Sequence, residues 1–416
     1  MSVSIKKTRW RTGRRNAPNV PPIRVGFCEN GAGYGGAIIS LAAMLEHLGP
    51  EFAPHLYTNL ASEPYQQLQR LSAWAYMPPR VMIDPAAMRR RGIPFASHLD
   101  NLCNILPYAI RYYRKFKADK IDLVYLNNEA SCNLAAALAA KFAGLPLVLH
   151  ARGFHSNTRA NRWVLARLDH CMPVSQAVKR QLIGLGLALE RCSVVHEGLD
   201  LSSFRPIPQR EELAAELGIV PGQPVITLVG GLVDWKGQDV LLDALPQVFA
   251  RYPAARVLLV GASYGKKDHF SRMIAARVAA PELASRVLLT GGRDDIPDIL
   301  ALSSVVIHAS TSPEPFGRTF LEGMAVGRPV IASNEGGPVD VIEDGVDGLL
   351  IAPRDPKVLA GAILRILDDP VLAGRLGENG VRKAAGFSIE HHTETVKSIL
   401  WRVINARASA TANSQS

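Results

Sequence analysis

The sequence is poor in cysteine, and its few cysteines are not arranged as metal ligands. The 416 residues include five cysteines, with no Cys-x-x-Cys pair and no metal-like spacing from a histidine. Zinc sites usually use closely spaced cysteine and histidine residues, and secreted disulfide frameworks are richer in cysteine. We therefore expect reduced thiols in a cytoplasmic protein, with no structural zinc and no other bound metal.

Long apolar runs are also missing. The longest, residues 134–149, is interrupted by Lys141, Gly144 and Pro146, whereas a membrane-spanning helix needs about 20 mostly apolar residues. The basic N-terminus is not followed by the apolar segment of a secretion signal. We expect no transmembrane helix and a basic, disordered tail over residues 1–22.

Acidic residues are scarce in the first half of the chain. Residues 1–200 carry 25 Lys and Arg against 13 Asp and Glu, while residues 201–416 carry 22 against 24. The net charges are therefore +12 and −2, which sum to the +10 of the whole chain. This asymmetry suggests an anionic partner for the N-terminal half: nucleic acid, an acidic lipid surface or a phosphorylated substrate. A solvated basic surface is the alternative.

Short apolar segments that resemble strands alternate with segments of helical periodicity, which predicts parallel sheets flanked by helices. At 48% hydrophobic residues, the chain can bury the cores of two domains. The predicted strands cover residues 23–28, 123–126 and 147–150 in the first half, and 225–229, 256–260, 287–290, 305–308 and 329–332 in the second.

A proline-bearing connection, Phe-Arg-Pro-Ile-Pro at residues 204–208, marks the predicted domain boundary. It separates an N-terminal domain over residues 23–203 from a C-terminal domain over residues 204–387. Residues 388–405 form an amphipathic helical pattern whose apolar stripe is expected to pack back toward the N-terminal domain. Residues 406–416 are expected to be a disordered tail.

Two loops that each follow a strand and precede a helix are candidate anion sites. In the first, Asn30-Gly-Ala-Gly-Tyr-Gly-Gly36, Gly35 and Gly36 would let backbone approach a phosphate or sugar closely. Its spacing lacks the last step of the dinucleotide fingerprint, and a tight turn without a ligand is the alternative. The second, Gly230-Gly-Leu-Val-Asp-Trp-Lys-Gly237, places Lys236 near a helix start, as in phosphate-binding loops. A solvated Lys236 is the alternative.

Two carboxylates flank a third candidate site. Glu314 lies in Pro313-Glu314-Pro315-Phe316-Gly317, which the prolines exclude from regular helix, whereas residues 318–326 are good helix formers. Glu322 therefore lies on a helix whose N-terminus follows the Glu314 loop. Free backbone N–H groups and the helix dipole favour phosphate at such a terminus. Such a pair of carboxylates could bind hydroxyls of a phosphorylated sugar or nucleoside, although the spacing alone also arises by chance.

The ordered motifs resemble the retaining glycosyltransferase family 4, also called glycosyl transferases group 1. The resemblance rests on GLVDWKGQDVLL around Lys236, on PEPFGRTFLEGMAVGRPVIAS and on GGPVDVIEDGVDGLLIAPRDP, with NGAGYGG and residues 194–200 as weaker matches. It implies the GT-B fold, an α/β architecture in which two Rossmann-like, doubly wound parallel-sheet domains face each other across a cleft. It is dense over residues 194–389 and thinner before them.

The resemblance also implies roles for particular positions. Glu314 matches the first glutamate of the E-x7-E motif, on the donor sugar, and Glu322 matches the second, on the nucleotide ribose. Lys236 matches the lysine on the diphosphate, and Phe316, Gly317 and Arg318 lie in the loop whose N–H groups meet sugar and phosphates. The base is expected near residues 291–295, which include Arg293.

Two positions depart from the family pattern or leave it open. The family commonly has an arginine five residues before the lysine, but this chain has Gly231. Arg293 or Arg318 compensates, the donor is held more weakly, or the protein is inactive. The family also places a histidine near the reacting centre at the end of an N-domain strand. His150 is our choice for it, with Arg152 and His155 as alternatives.

The resemblance implies transfer of a hexose from a nucleotide-diphosphate sugar to an acceptor hydroxyl, with retention of configuration and without a metal or cofactor. His150, Lys236 and Glu314 are the expected catalytic residues. We expect a lipid-linked or polysaccharide acceptor in cell-surface polysaccharide, lipopolysaccharide or glycolipid synthesis, and no nucleic acid. The segment 108–120, which interleaves aromatics and cations, suggests peripheral binding to the anionic inner face of the cytoplasmic membrane, or simply a solvated basic face. A nucleotide-sugar epimerase or hydrolase and an impaired anionic-surface binding protein are the alternatives.

Overall fold

Parallel strands flanked by helices build two domains in a computed structural model. The model describes residues 21–30, 36–61, 65, 68–78, 105–204, 210–263 and 269–413. The predicted tail up to residue 20, the glycine loop residues 31–35, which include Gly35, and most of the predicted domain connection lie outside the described residues.

Two parallel sheets form the centres of the domains. The strands are β1 (Ile23–Glu29), β2 (Phe52–Thr58), β3 (Ala73–Tyr76), β4 (Leu123–Asn127), β5 (Leu147–Ala151), β6 (His170–Pro173), β7 (Val225–Val229), β8 (Arg256–Val260), β9 (Val287–Gly291), β10 (Val305–His308), β11 (Val330–Ser333) and β12 (Leu349–Ile351). The order is β3-β2-β1-β4-β5-β6 in the first sheet and β12-β11-β10-β7-β8-β9 in the second. Both sheets have the same doubly wound order, which confirms the predicted fold class.

Helices cover these sheets. They are α1 (Gly36–Glu46), α2 (Leu106–Ala118), α3 (Leu134–Phe142), α4 (Arg159–Leu165), α5 (Gln176–Gly184), α6 (Arg210–Glu216), α7 (Gln238–Arg251), α8 (His269–Val278), α9 (Pro281–Ala284), α10 (Ile296–Leu302), α11 (Arg318–Ala325), α12 (Pro338–Val341), α13 (Pro356–Asp368), α14 (Pro370–Ala384) and α15 (Ile389–Asn413). No helix among the described residues is long and apolar enough to cross a membrane. The four described cysteines form no disulfide.

Four strands, β2, β3, β6 and β12, were not predicted from the apolar runs. β6 and β12 have four and three residues, and β2 carries Pro54 and His55 inside an otherwise apolar segment. β3 lies at the edge of its sheet and is partly exposed. Such strands are too short, too interrupted or too exposed to give a long apolar run, because sheet position rather than composition defines them.

The last helix differs from its predicted extent. It continues to Asn413, so the prediction of a helix ending at residue 405 and a disordered tail from 406 was wrong for residues 406–413. These residues read ARASATAN, and alanine is the strongest helix former. Val396, Ile399 and Leu400 of this helix are buried in one cluster with Val25 and Leu41 of the N-terminal domain, so α15 packs back on that domain.

The topology of each sheet determines where a ligand can bind. In doubly wound sheets the crevice lies at the carboxyl ends of the strands where the strand order reverses. That point lies between β1 and β4 in the first sheet and between β7 and β10 in the second. The loops that carry Lys236 and Glu314 follow β7 and β10, so the switch point of the second sheet brings them together.

Candidate active site

A cleft of about 410 Å³ lies between the two domains. Its N-terminal wall consists of Gly36, Ala37, Ile39, Arg152 and Glu197. Its C-terminal wall consists of Gly230, Gly231, Trp235, Lys236 and residues 314–319 and 322. Three cation–carboxylate pairs therefore line one cavity, namely Arg152–Glu197, Lys236–Glu314 and Arg318–Glu322.

Lys236 and Glu314 form the central pair of the C-terminal wall. The ammonium of Lys236 donates to both carboxylate oxygens of Glu314, at 2.7 and 2.8 Å, and lies 4.1 Å from the centre of the Trp235 ring. The hydroxyl of Ser310 donates to Glu314 Oε2 at 2.7 Å. Burial would raise the pKa of Glu314, but the charge of Lys236 outweighs it and holds this pKa well below its usual range. Glu314 is therefore an ionised acceptor and not a proton donor at neutral pH.

Glycines allow the Glu314 loop to fold tightly against its neighbours. Gly317 has φ +92°, and a Cβ there would lie 2.6 Å from His308 Nε2. Gly336 has φ +79°, and a Cβ there would lie 2.1 Å from the Glu314 carbonyl oxygen, which accepts the N–H of Gly337 at 2.8 Å. Positive φ angles favour glycine, and no side chain fits approaches this close. The Gly-Gly pair at 336–337 therefore supports the loop that presents Glu314.

Arg318 is the first residue of α11, which begins directly after Gly317, and Glu322 lies one turn further along the helix. Arg318 Nε is 3.5 Å from Glu322 Oε1. Arg318 Nη1 donates to the Ser40 hydroxyl of α1 at 2.8 Å, a hydrogen bond from the C-terminal wall to the N-terminal domain. The N-termini of α1 and α11 thus lie close to each other at the cleft, where their free N–H groups favour an anion.

Arg152 and Glu197 form a buried ion pair in the N-terminal wall. Arg152 Nη1 lies 2.6 and 2.5 Å from the two oxygens of Glu197, and Arg152 Nε donates to Asn127 Oδ1 at 2.8 Å. Burial would raise the pKa of Glu197, but the guanidinium of Arg152 outweighs it and lowers this pKa. The pair is therefore charged, and its two charges balance each other at the cleft.

Two family models match consecutive parts of the chain. The model of the glycosyl transferases group 1 matches residues 209–383, and that of Glycosyltransferase Family 4 matches residues 34–203. The chain belongs to the group 1, family 4 glycosyltransferases. The first of these matched ranges contains every residue of the C-terminal wall, and the second contains the N-terminal wall.

Individual relatives agree with this assignment. The chain is 30% identical over 298 residues to a D-inositol 3-phosphate glycosyltransferase of Nocardia farcinica, which covers 70% of the chain and 64% of the relative. It is 29% identical over 210 residues to the lipopolysaccharide core biosynthesis mannosyltransferase LpsB of Rhizobium meliloti, which covers 50% and 60%. The chain thus spans roughly half to two thirds of the curated relatives it matches.

A solved structure matches along almost the whole chain. The crystal structure of Anabaena HepE in complex with UDP and glucose superimposes with a TM-score of 0.78 and 25% identity, covering 91% of this chain and all of that one. The chain therefore belongs to the family 4 glycosyltransferases and has the GT-B fold.

The structure brings most of the predicted site residues of this glycosyltransferase together. Gly36, Gly231, Lys236, Glu314, Phe316, Gly317, Arg318 and Glu322 all line the cleft. Arg293 does not, since its guanidinium donates to Asp295 at 2.6 and 2.8 Å and to Glu216 at 2.5 Å. A role for Arg293 at the base stays a prediction.

His150 also does not line the cleft. It is fully buried in β5, with the Tyr125 hydroxyl 2.5 Å and Arg152 Nη2 3.3 Å from its Nδ1. Arg152, two residues on and just past the end of β5 at Ala151, reaches the cleft instead, because the crevice of a doubly wound sheet lies outside the carboxyl ends of its strands. His155 Nε2 accepts the Ala130 N–H at 3.0 Å. Of the three alternatives, the geometry therefore brings Arg152 to the cavity.

Several contact residues of the site were not predicted. Glu197 lies within the matched segment 194–200, but nothing in the sequence showed that it would pair with Arg152, 45 positions away. Ser40 carried no signal, because its contact with Arg318 spans 278 positions. Ser310 and Trp235 flank Glu314 and Lys236 in sequence, and proximity to those residues was the available signal. No group of three or more metal-ligating side chains occurs among the described residues, and metal independence stays a prediction.

Proposed function

We propose that this chain is a retaining glycosyltransferase that moves a hexose from a nucleoside-diphosphate sugar to an acceptor hydroxyl. The observation that carries the proposal is the Lys236–Glu314 pair at the switch point of the second sheet, next to the N-terminus of α11 and opposite Arg152. Family membership and the likeness to HepE, solved with UDP and glucose, support it.

In this proposal the C-terminal wall binds the donor. Glu322 accepts hydrogen bonds from the ribose hydroxyls, and the ionised Glu314 accepts them from the sugar. The diphosphate lies at Lys236 and the N–H groups at the start of α11. As the bond between the sugar carbon and the phosphate oxygen breaks, negative charge grows on the departing diphosphate, and these fixed donors stabilise it most in the transition state.

The acceptor oxygen forms the new bond to the sugar carbon on the face that the phosphate leaves, and its proton passes to the departing phosphate oxygen. No side-chain nucleophile is needed. Glu314 is poorly suited to that role, because Lys236 and Ser310 already donate three hydrogen bonds to its oxygens. Closure of the two walls would exclude water and limit donor hydrolysis.

On the acceptor side, we propose a lipid-linked or polysaccharide acceptor at an anionic membrane surface. Helix α2 exposes Leu106, Ile110 and Tyr113 to 53, 46 and 38%, at a spacing that places them on one face, and it also carries Arg114 and Lys117. Apolar and cationic side chains on one exposed helix are the composition of interfacial helices. Flotation with anionic liposomes tests this, with a variant in which all three apolar residues become serine as the comparison. Failure of the wild-type chain to float at low salt contradicts the membrane proposal.

A panel of UDP-, GDP- and ADP-sugars tests the donor proposal. A ligand that binds the folded state raises the apparent melting temperature, and product analysis by NMR then shows the anomeric configuration. We expect a shift with at least one donor that is lost in Glu322→Ala, and sugar transfer that requires an acceptor. Donor turnover without any acceptor would instead indicate a hydrolase or epimerase. Binding to polyanions that ignores both glutamates would indicate an anionic-surface binding protein.

A further inference from the structure

The diphosphate site has one cation fewer than the family pattern. Gly231 lines the cleft at the position where the family commonly has an arginine, and Lys236 is the cation that its loop presents to the cavity. Lys236 also donates to both oxygens of Glu314. A diphosphate ester carries two negative charges at neutral pH, so a second cation near Lys236 would balance it.

The three cations of the cleft differ in how firmly they are held. Arg152 is 1% exposed and donates to both oxygens of Glu197 and to Asn127. Lys236 is held by Glu314. Arg318 is 19% exposed, has its carboxylate neighbour Glu322 at 3.5 Å, and makes one hydrogen bond among the described residues, to the neutral hydroxyl of Ser40. Among the described residues its guanidinium uses one of five N–H donors, whereas Lys236 uses two of three, so Arg318 has more donors left for a ligand.

The location of Arg318 matches that need. It is the first residue of α11, directly after the N-cap Gly317, so its own backbone N–H is one of the free groups at that helix terminus. Its stem passes the start of α1, where a Cβ on Gly36 would lie 3.9 Å from Arg318 Cδ. Arg318 thus lies between the N-terminal ends of two helices and in the same cavity as Lys236.

We propose that Arg318 is the second diphosphate cation of this enzyme and takes the place of the arginine absent at Gly231. This inference rests on the proposed function, because it assigns one of its contacts. Ser40 accepts from Nη1 and keeps the guanidinium at the cleft before a donor binds. The remaining N–H groups then donate to phosphate oxygens, in the bidentate geometry that guanidinium provides.

Calorimetric titration with UDP and with uridine separates the contacts to the diphosphate from the contacts to the base and the ribose, because uridine lacks the diphosphate. We expect Arg318→Ala and Arg318→Met to weaken UDP binding roughly 10- to 100-fold, the range for loss of a charged hydrogen bond, and to leave uridine binding unchanged. Arg251→Ala is the control, because Arg251 lies at the far end of α7 from Lys236 and is 67% exposed. Melting curves confirm that each variant is folded.

The double variant Arg318→Met with Gly231→Arg gives the sharper test. An arginine restored at the family position should recover most of the UDP affinity that Arg318→Met loses. Unchanged UDP affinity in Arg318→Ala and Arg318→Met would overturn the inference. Equal losses of affinity for UDP and uridine would also overturn it, and so would a folded double variant that recovers no UDP affinity. GDP and ADP are titrated in the same way. Binding of none of the three to the wild-type chain would instead overturn the proposed function.

Discussion

The two walls of the cleft each hold a buried ion pair, but they hold it differently. In the N-terminal wall, Arg152 and Glu197 are 1 and 6% exposed and are tied to Asn127. In the C-terminal wall, Lys236 and Glu314 are 18 and 10% exposed and lie on glycine-bounded loops. The first pair can change little when a ligand arrives, whereas the second can exchange partners with one. One wall is therefore built for rigidity and the other for donor binding.

The largest effect should come from breaking the rigid pair. Glu197→Ala leaves the guanidinium of Arg152 buried without its counter-charge, which we expect to lower the free energy of unfolding by about 3–5 kcal/mol. Urea unfolding followed by circular dichroism measures it. Glu216→Ala is the matched control, because Glu216 is a 57% exposed partner of Arg293 and such surface pairs contribute about 1 kcal/mol or less.

A double variant shows how much of this stability loss comes from leaving a buried charge unpaired and how much from losing the ion pair itself. Arg152→Met with Glu197→Leu removes both charges, and we expect it to be more stable than Glu197→Ala, since no buried ion is left unpaired. If Glu197→Ala is as mild as Glu216→Ala, the N-terminal wall is not the rigid one and the comparison fails.

The second effect concerns the wall that exchanges partners. Lys236→Ala should lower kcat/KM about 100- to 1000-fold, as loss of a donor to developing charge does elsewhere, while costing less stability than Glu197→Ala. The smaller stability cost follows because Glu314 in the variant can be reached by water from the cleft. Steady-state kinetics with the donor identified by the panel, and urea unfolding of the same preparation, provide both numbers. A stability loss equal to that of Glu197→Ala would show that the two walls do not differ.

The two halves of this comparison were unequally accessible from the sequence. Lys236, Glu314 and Glu322 were found because each stands in a local frame of glycine, proline and aromatic residues that predicts a loop before a helix. The Arg152–Glu197 pair joins the end of β5 to the approach to the second domain, and the Arg318–Ser40 contact joins the domains. Contacts this distant along the chain depend on tertiary packing, which no local pattern encodes. His150 was preferred to Arg152 because the sequence did not show that the strand ends at Ala151 and that the residue just past its end faces the cleft.

The third effect is a difference in pH response. His392 lies behind the N-terminal wall, where its ring stacks on His150 at 5.4 Å, and burial and the charge of Arg152 lower its pKa to about 4. A histidine whose folded pKa is lowered binds its proton more readily when unfolded, so stability falls as the pH falls below about 6.5. Glu314 also has a lowered pKa, but its contribution to the free energy of unfolding is lost only as the pH falls below about 4.5, the ordinary pKa of a glutamate.

The N-terminal wall should therefore weaken first on acidification. Between pH 7 and pH 5 we expect the His392 contribution to the loss of stability to be about 1–2 kcal/mol. Urea unfolding at several pH values measures the slope. His392→Phe keeps a ring in the stack without a titrating group and should make the slope shallower by this amount, while burial keeps the pKa values of His150 and His170 low and so maintains the rest of the slope. Glu314→Gln should leave this part of the profile unchanged. An equal slope in wild type and His392→Phe would contradict the assignment.

The smallest effect should come from the hydrogen bond that joins the walls. Ser40→Ala removes the acceptor of Arg318 Nη1, and a single hydrogen bond of this kind contributes about 1 kcal/mol to stability. Because Arg318 keeps its charge and its place on α11, UDP affinity should stay within about threefold of wild type, less than 0.7 kcal/mol. Titration and urea unfolding on one preparation measure both. A loss of UDP affinity as large as that expected for Arg318→Ala would mean that Ser40 itself binds the donor. The N-terminal wall would then take part in donor binding, and the division between a rigid wall and a binding wall would be wrong.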